Sequence, residues 1–175
     1  MLLSRPPEDP ARLRVLAVAS AGGHLVQLRR LRRAFAGCRT VWVVTDPVFA
    51  ADIRRDAERD GAPPPEVRAV PEGSLWSKVS LLRQMLAIAW IVVRVRPHAV
   101  VTTGAAPGYF AIRLARLLGA RRTVWIDSVA NADELSRAGR EAGRHADLFL
   151  TQWPHLAAAP GEDDPKAPRC WGAVI

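Results

Sequence analysis

Six short runs rich in β-branched residues alternate with five segments of helical periodicity, and that alternation constrains the fold more than any other property of the chain. The runs lie at residues 13–19, 40–45, 66–70, 98–103, 123–127 and 147–151. The intervening segments, of helix-forming composition, cover 24–35, 48–60, 75–96, 107–118 and 133–143. Such alternation predicts an α/β fold, a Rossmann-like parallel sheet with helices on both faces. The first two runs, Leu-Arg-Val-Leu-Ala-Val-Ala and Thr-Val-Trp-Val-Val-Thr, are apolar almost without break, as strands buried on both faces must be, which places them centrally.

The usual winding of such a sheet, 3-2-1-4-5-6, reverses the chain's direction between the first and fourth strands, and ligands bind at that reversal, outside the carboxyl ends of the strands. The topology therefore brings loops 20–24 and 104–108 to one crevice. At 175 residues, 49% of them hydrophobic, the chain supports one core. Residues 1–12 carry three prolines and no apolar run, and read as a loose leader rather than a signal peptide or anchor. Residues 13–152 form the domain. Residues 153–175 hold four prolines and the acidic cluster Glu162-Asp163-Asp164, and read as an exposed tail or crossing segment that turns apolar again at 171–175.

The first loop runs Ala19-Ser20-Ala21-Gly22-Gly23-His24 straight into the amphipathic pattern Leu25, Leu28, Leu31, Phe35. Paired glycines at a strand-to-helix turn let the backbone approach a ligand, and the helix start offers unbonded N–H groups to a phosphate or pyrophosphate. Neither GxGxxG nor GxxxxGKS/T is present, so a plain tight turn also accounts for the glycines. His24, in the first turn, is either structural or an acid, base or hydrogen-bond donor facing the crevice. The second loop, Thr102-Thr103-Gly104-Ala105-Ala106-Pro107-Gly108, repeats the design with a proline near the helix start, where its missing N–H costs little. After the fifth run, Asp127, Ser128 and Asn131 suit sugar hydroxyls or the orientation of His24, and Asp and Ser there serve equally as helix caps.

The segment 75–96 has its longest apolar run at 85–93, far short of the roughly 20 residues that span a bilayer. Apolar nearly all round, it is either a buried domain helix or, with Trp76, Lys78, Arg83, Trp90, Arg94 and Arg96, a helix lying in the plane of a membrane surface.

The formal charge of +8 suits an anionic partner such as nucleic acid, lipid headgroups or a phosphorylated substrate, but only Lys78 and Lys166 are lysines, and a bias toward Arg, Ala and Pro accounts for it as well. Cys38 and Cys170 belong to no ligand spacing, which argues against a metal site or disulfide framework and for a reducing cytosol. An oxidoreductase lacks its dinucleotide fingerprint here, and a nucleic-acid binder its basic-aromatic motif.

Four motifs in order carry a more specific signal: Ser20-Ala21-Gly22-Gly23-His24-Leu25, Pro97-His98-Ala99-Val100-Val101-Thr102-Thr103-Gly104, Trp125-Ile126-Asp127-Ser128 and Ala146-Asp147-Leu148-Phe149-Leu150-Thr151-Gln152-Trp153, closed by Gly172. Together they resemble the acceptor-side subunit of the two-component N-acetylglucosaminyltransferase of dolichol-linked oligosaccharide synthesis, and its bacterial capsule and exopolysaccharide relatives. The likeness runs from about Arg14 to Val174. That family is similar to the amino-terminal half of GT-B glycosyltransferases such as the peptidoglycan lipid-intermediate transferase.

The resemblance implies transfer of a sugar from a nucleotide sugar to a lipid-diphosphate-linked saccharide, accomplished only with a separate donor-binding subunit that holds the nucleotide sugar. This chain is expected to carry no cofactor or metal and to bind no nucleic acid. By the same likeness His24 is catalytic, and Ser20, Gly22, Gly23, Thr103, Gly104, Pro107, Gly108, Asp127, Ser128 and Asn131 bind the acceptor. Trp76, Lys78, Arg83, Trp90 and Arg94 would touch the membrane, with the protein peripheral on its inner, cytoplasmic face. Two departures stand out: Asp127-Ser128 replaces the family's Glu-Ser, with Asn131 where an arginine is usual, and the amino-terminal membrane helix of many eukaryotic relatives has no counterpart in the leader. A rival from another class is a non-catalytic activator or membrane scaffold for a complete transferase.

Overall fold

The alternation resolves into one parallel sheet of order β3-β2-β1-β4-β5-β6-β7. In the computed structural model, which describes residues 9–74, 76–120, 122–159, 164 and 166–174, the strands are β1 (Arg14–Ala19), β2 (Arg39–Val44), β3 (Glu66–Ala69), β4 (Ala99–Thr102), β5 (Arg122–Ile126), β6 (Leu148–Thr151) and β7 (Arg169–Cys170). The helices are α1 (Gly23–Arg30), α2 (Ala50–Arg59), α3 (Lys78–Val95), α4 (Ala105–Leu117) and α5 (Arg137–Gly143). Most of the leader, Leu75, Glu162, Asp163 and Ile175 lie outside the described residues.

Strand burial follows the sequence pattern. In β1, Leu16 to Ala19 are wholly buried, and Val41 to Val44 of β2 nearly so. In β4 and β6 burial alternates, with Val100, Thr102, Phe149 and Thr151 inside and their neighbours half-buried. Two cores result. One packs Leu16, Val18, Val41 and Trp125 against Ile88, Val92 and Ile112 of α3 and α4, and the other packs Val15, Ala17, Trp42 and Val44 against Leu25, Leu28 and Ile53 of α1 and α2. Helices thus cover both faces, and β1 beside β4 puts the loops after these strands next to each other.

Three expectations are corrected. The helix expected over 24–35 ends at Arg30 and continues as a 3-10 turn, Arg32–Phe35. The helix expected over 133–143 begins only at Arg137, because Ser136 caps it by accepting from Gly139 N and is itself pinned by Asp127. The stretch expected to be a tail joins the sheet: β7 pairs with β6 as Leu150↔Arg169 and Thr151↔Cys170, and Val174 N donates to Gln152 Oε1 at 2.7 Å. Scattered prolines and a strand of two residues leave no period-two signal for sequence reading to detect.

Candidate functional site

The crevice is built from the carboxyl ends of β1 and β4 and the helices that follow them. Ala21 N donates to Thr45 Oγ1 at 2.9 Å, tying the first loop to the end of β2. Gly22 (φ 88°) and Gly104 (φ 131°) are the cap residues of α1 and α4, and neither supplies a side-chain cap. Two helix starts, each carrying the partial positive charge of its dipole, therefore stand at one edge with no side chain of the cap residue closing them. Ser20 is half-buried at the end of β1, Gly23 is exposed, and Thr103, Gly104, Pro107 and Gly108 are buried around the start of α4.

His24 joins the two loops. Its Nδ1 lies 2.8 Å from the Thr103 carbonyl, which can only accept, so Nδ1 carries a proton and the neutral ring keeps its lone pair on Nε2. In return Thr103 Oγ1 donates to the His24 carbonyl at 2.6 Å. Gly104 lies against the imidazole: a Cβ there would come within 2.7 Å of His24 Cε1. Ala105 follows with φ 64°, a left-handed conformation that costs a non-glycine residue about 1–2 kcal/mol. At Gly108, a side chain would run into Thr102, so α4 sits directly on β4.

The third expected group behaves differently. Asp127 is buried and accepts from Ser136 N at 2.8 Å, Ser136 Oγ at 2.6 Å and Trp125 Nε1 at 3.3 Å, so its carboxylate anchors the loop before α5 and does not orient His24. Ser128 Oγ accepts from Gln27 Nε2 at 3.1 Å and Ala130 N at 3.3 Å. With both lone pairs taken, its hydroxyl is left as a donor. Asn131 is half-buried, its N–H bonded to the Ser128 carbonyl.

Sequence reading missed two buried glutamines. Gln27 lies one turn beyond His24 on α1; its Oε1 accepts from Val129 N at 3.2 Å and Gln152 Nε2 at 2.6 Å. Gln152 also donates to the Asp127 carbonyl at 2.8 Å. The pair knits α1, the loop after β5, the end of β6 and the segment after β7. The only signal in the sequence was a polar residue between Leu25 and Leu28 on a helix otherwise rich in arginine.

A concavity of about 1010 Å³ opens at the opposite edge of the sheet, among Arg29, Arg32, Trp42, Asp56 and Asp60. Its charges are spent on each other: Arg29 Nε meets Asp56 at 2.7 Å, and Arg32 Nε meets Asp60 at 2.6 Å. The hydrogen bond from Arg32 holds the Asp60 carboxyl below its usual range. This is a salt-bridged seam joining α1 and the 3-10 turn after it to α2 and its capping residue Asp60, and the crevice at His24 is the candidate site.

Comparison with known proteins bears on the family and the fold. A family model described as "Oligosaccharide biosynthesis protein Alg14 like" matches residues 50–164, more than half of the chain. The "UDP-N-acetylglucosamine transferase subunit ALG14" of Eremothecium gossypii is 32% identical over 167 residues, covering 82% of this chain and 74% of that protein. The chain belongs to the Alg14-like family. The Mus musculus protein of the same name is 26% identical, covering 82% of this Alg14-like chain and 77% of its own length. In fold the chain is similar to MurG of Acinetobacter baumannii, with a TM-score of 0.60 at 16% identity, and to a putative UDP-N-acetylglucosamine 2-epimerase of Listeria monocytogenes, with 0.56 at 12%. It spans under half of each: 86% of this chain overlies 44% of the first, and 81% overlies 40% of the second. The Rossmann-like half-unit expected from the sequence is thus the observed fold of this Alg14-like protein.

Proposed function

We propose that this chain is the acceptor-binding, membrane-contacting subunit of a two-subunit glycosyltransferase, which passes a sugar from a nucleotide sugar to a lipid-diphosphate-linked saccharide. The donor is UDP-N-acetylglucosamine, the sugar nucleotide in the names of its relatives. The observation that carries the reading is the two-way bond between His24 and Thr103, which holds an imidazole between two uncapped helix starts.

The diphosphate of the acceptor lies against the N–H groups of α1 and α4, where backbone dipoles favour an anion. Ser20 and the Ser128 hydroxyl add donors. Nε2 of His24 takes the proton of the acceptor hydroxyl as its oxygen bonds to the anomeric carbon, while the bond from that carbon to the nucleotide diphosphate breaks. The leaving diphosphate departs with the donor-binding partner. Asn131 contributes its side chain to the saccharide, and Asp127 acts behind the site by holding the loop.

At the membrane the protein is peripheral, on the cytoplasmic face. Among the described residues no helix is long and apolar enough to cross. Instead α3 presents Val79, Leu82, Leu86, Trp90 and Val93, each at least 50% exposed, with Trp76 exposed just before it, and Lys78, Arg83 and Arg94 on the same helix.

The test mixes purified chain and partner with UDP-N-acetylglucosamine and a lipid-diphosphate acceptor. Product is expected only from the mixture, and His24→Ala is expected to cut the rate by about 10²–10⁴-fold without dissolving the complex. A partner that matches the mixture alone would reduce this chain to a scaffold. An unchanged rate with His24→Ala would remove the base from the mechanism.

A further inference from the structure

The exposed face of α3 carries a stripe and, beside it, a charged niche. Scattered apolar residues are ordinary on a surface, but five in register at steps of three and four are not. α3 holds three basic residues and no acidic one. At Trp90 one of them meets a charge from the sheet: the Arg94 guanidinium stands 5.8 Å from the ring centroid, and Arg68 of edge strand β3 stands 5.2 Å from it. Arg68, Ala69, Ala87, Trp90 and Ile91 line an open niche of about 390 Å³. Glu66 takes Arg68 Nε at 2.6 Å and also contacts Nη2, which fixes the plane of the fork.

We propose that this niche takes the phosphodiester of an anionic phospholipid headgroup, with that lipid's acyl chains against the stripe. The inference rests on the membrane contact proposed above and gives it a lipid class. A guanidinium meets a phosphate with paired, planar donors, and a tryptophan sits stably where apolar and wet regions meet. Two guanidiniums flanking one half-exposed indole at the border of an apolar stripe supply both in one place. Glu66 offsets the charge of Arg68, so the net positive charge beside the indole is that of Arg94, and an anionic surface supplies its counter-charge where a zwitterionic one does not. The placement also orients the crevice. In a parallel sheet each helix begins at the carboxyl edge of the strand before it, so Trp76 and the start of α3 lie on the crevice's edge of the sheet.

Co-sedimentation of the purified chain with vesicles of phosphatidylcholine alone, and with vesicles in which a third is phosphatidylglycerol, tests this at physiological salt. Arg68→Gln/Arg94→Gln is expected to weaken binding to the phosphatidylglycerol vesicles about ten-fold or more, and to leave the weaker phosphatidylcholine binding unchanged. Arg30→Gln/Arg54→Gln, which removes the same charge from helices of the opposite face, is expected to change neither, and melting curves confirm that all variants fold. Equal loss from both arginine pairs, or equal wild-type binding to both vesicles, overturns the headgroup site and leaves membrane contact standing. Wild-type binding undiminished in Leu82→Ser/Leu86→Ser, or no binding to either vesicle, overturns the membrane contact itself and assigns the stripe to a protein partner.

Discussion

His24 and Thr103 are bonded in both directions, ring nitrogen to carbonyl at 2.8 Å and hydroxyl to carbonyl at 2.6 Å, so two loops 79 residues apart in sequence are fixed by one pair. Thr103→Val keeps the shape and removes the hydroxyl, leaving the His24 carbonyl without that donor. The expected cost is about 1–3 kcal/mol by denaturant unfolding, with Thr103→Ser recovering most of it. A Val variant as stable as the parent would show that the bond does not hold the loops.

Gly104 and Ala105 make opposite predictions although they are neighbours. Gly104→Ala sets a side chain at φ 131° and against the imidazole, and is expected to lower the melting temperature and distort the site together. Ala105→Gly relieves a left-handed residue at φ 64° and gives back chain entropy, so its stability is expected within about 1 kcal/mol of the parent.

Gln27 and Gln152 are buried together, and their worth is conditional. Gln152→Leu strands Gln27 Oε1, the Asp127 carbonyl and Val174 N in part, at about 2–4 kcal/mol. Gln27→Leu/Gln152→Leu is expected to cost less than the sum of the two single changes, read as a double-mutant cycle by urea unfolding. Strict additivity would mean the amides act separately.

His145 gives the chain an acid-side weakness. Burial, and then Arg113, whose Nη1 stands 2.7 Å from Nε2, hold the imidazole below its usual value of 6.5. The unfolded chain therefore takes up the proton first as pH falls, so stability declines below about 6.5 and levels off once the folded form is protonated too. His145→Gln is expected to flatten the melting-temperature profile across that window, and a parallel profile would refute the assignment.

Six strands, the interior place of β1 and β2, and the meeting of the two glycine loops were legible because burial on both faces and strand-to-helix turns write themselves into local composition. The role of Asp127 was not. Its sequence position suits a crevice ligand or a cap, and only the fold reveals that its carboxylate holds Ser136, nine residues on. The glutamine pair spans 125 residues, a separation at which neither periodicity nor propensity carries information. The seventh strand was lost for a related reason, since two residues borrow their conformation from β6 rather than from their own sequence.

The tie from Val174 to Gln152 also closes a continuous path across the domain. From the backbone at 174 the contacts run to Gln152, then to Gln27 at 2.6 Å, and so reach the helix of His24 one turn from the imidazole. The segment after the last strand and the helix that carries the histidine are thus ends of one hydrogen-bonded chain.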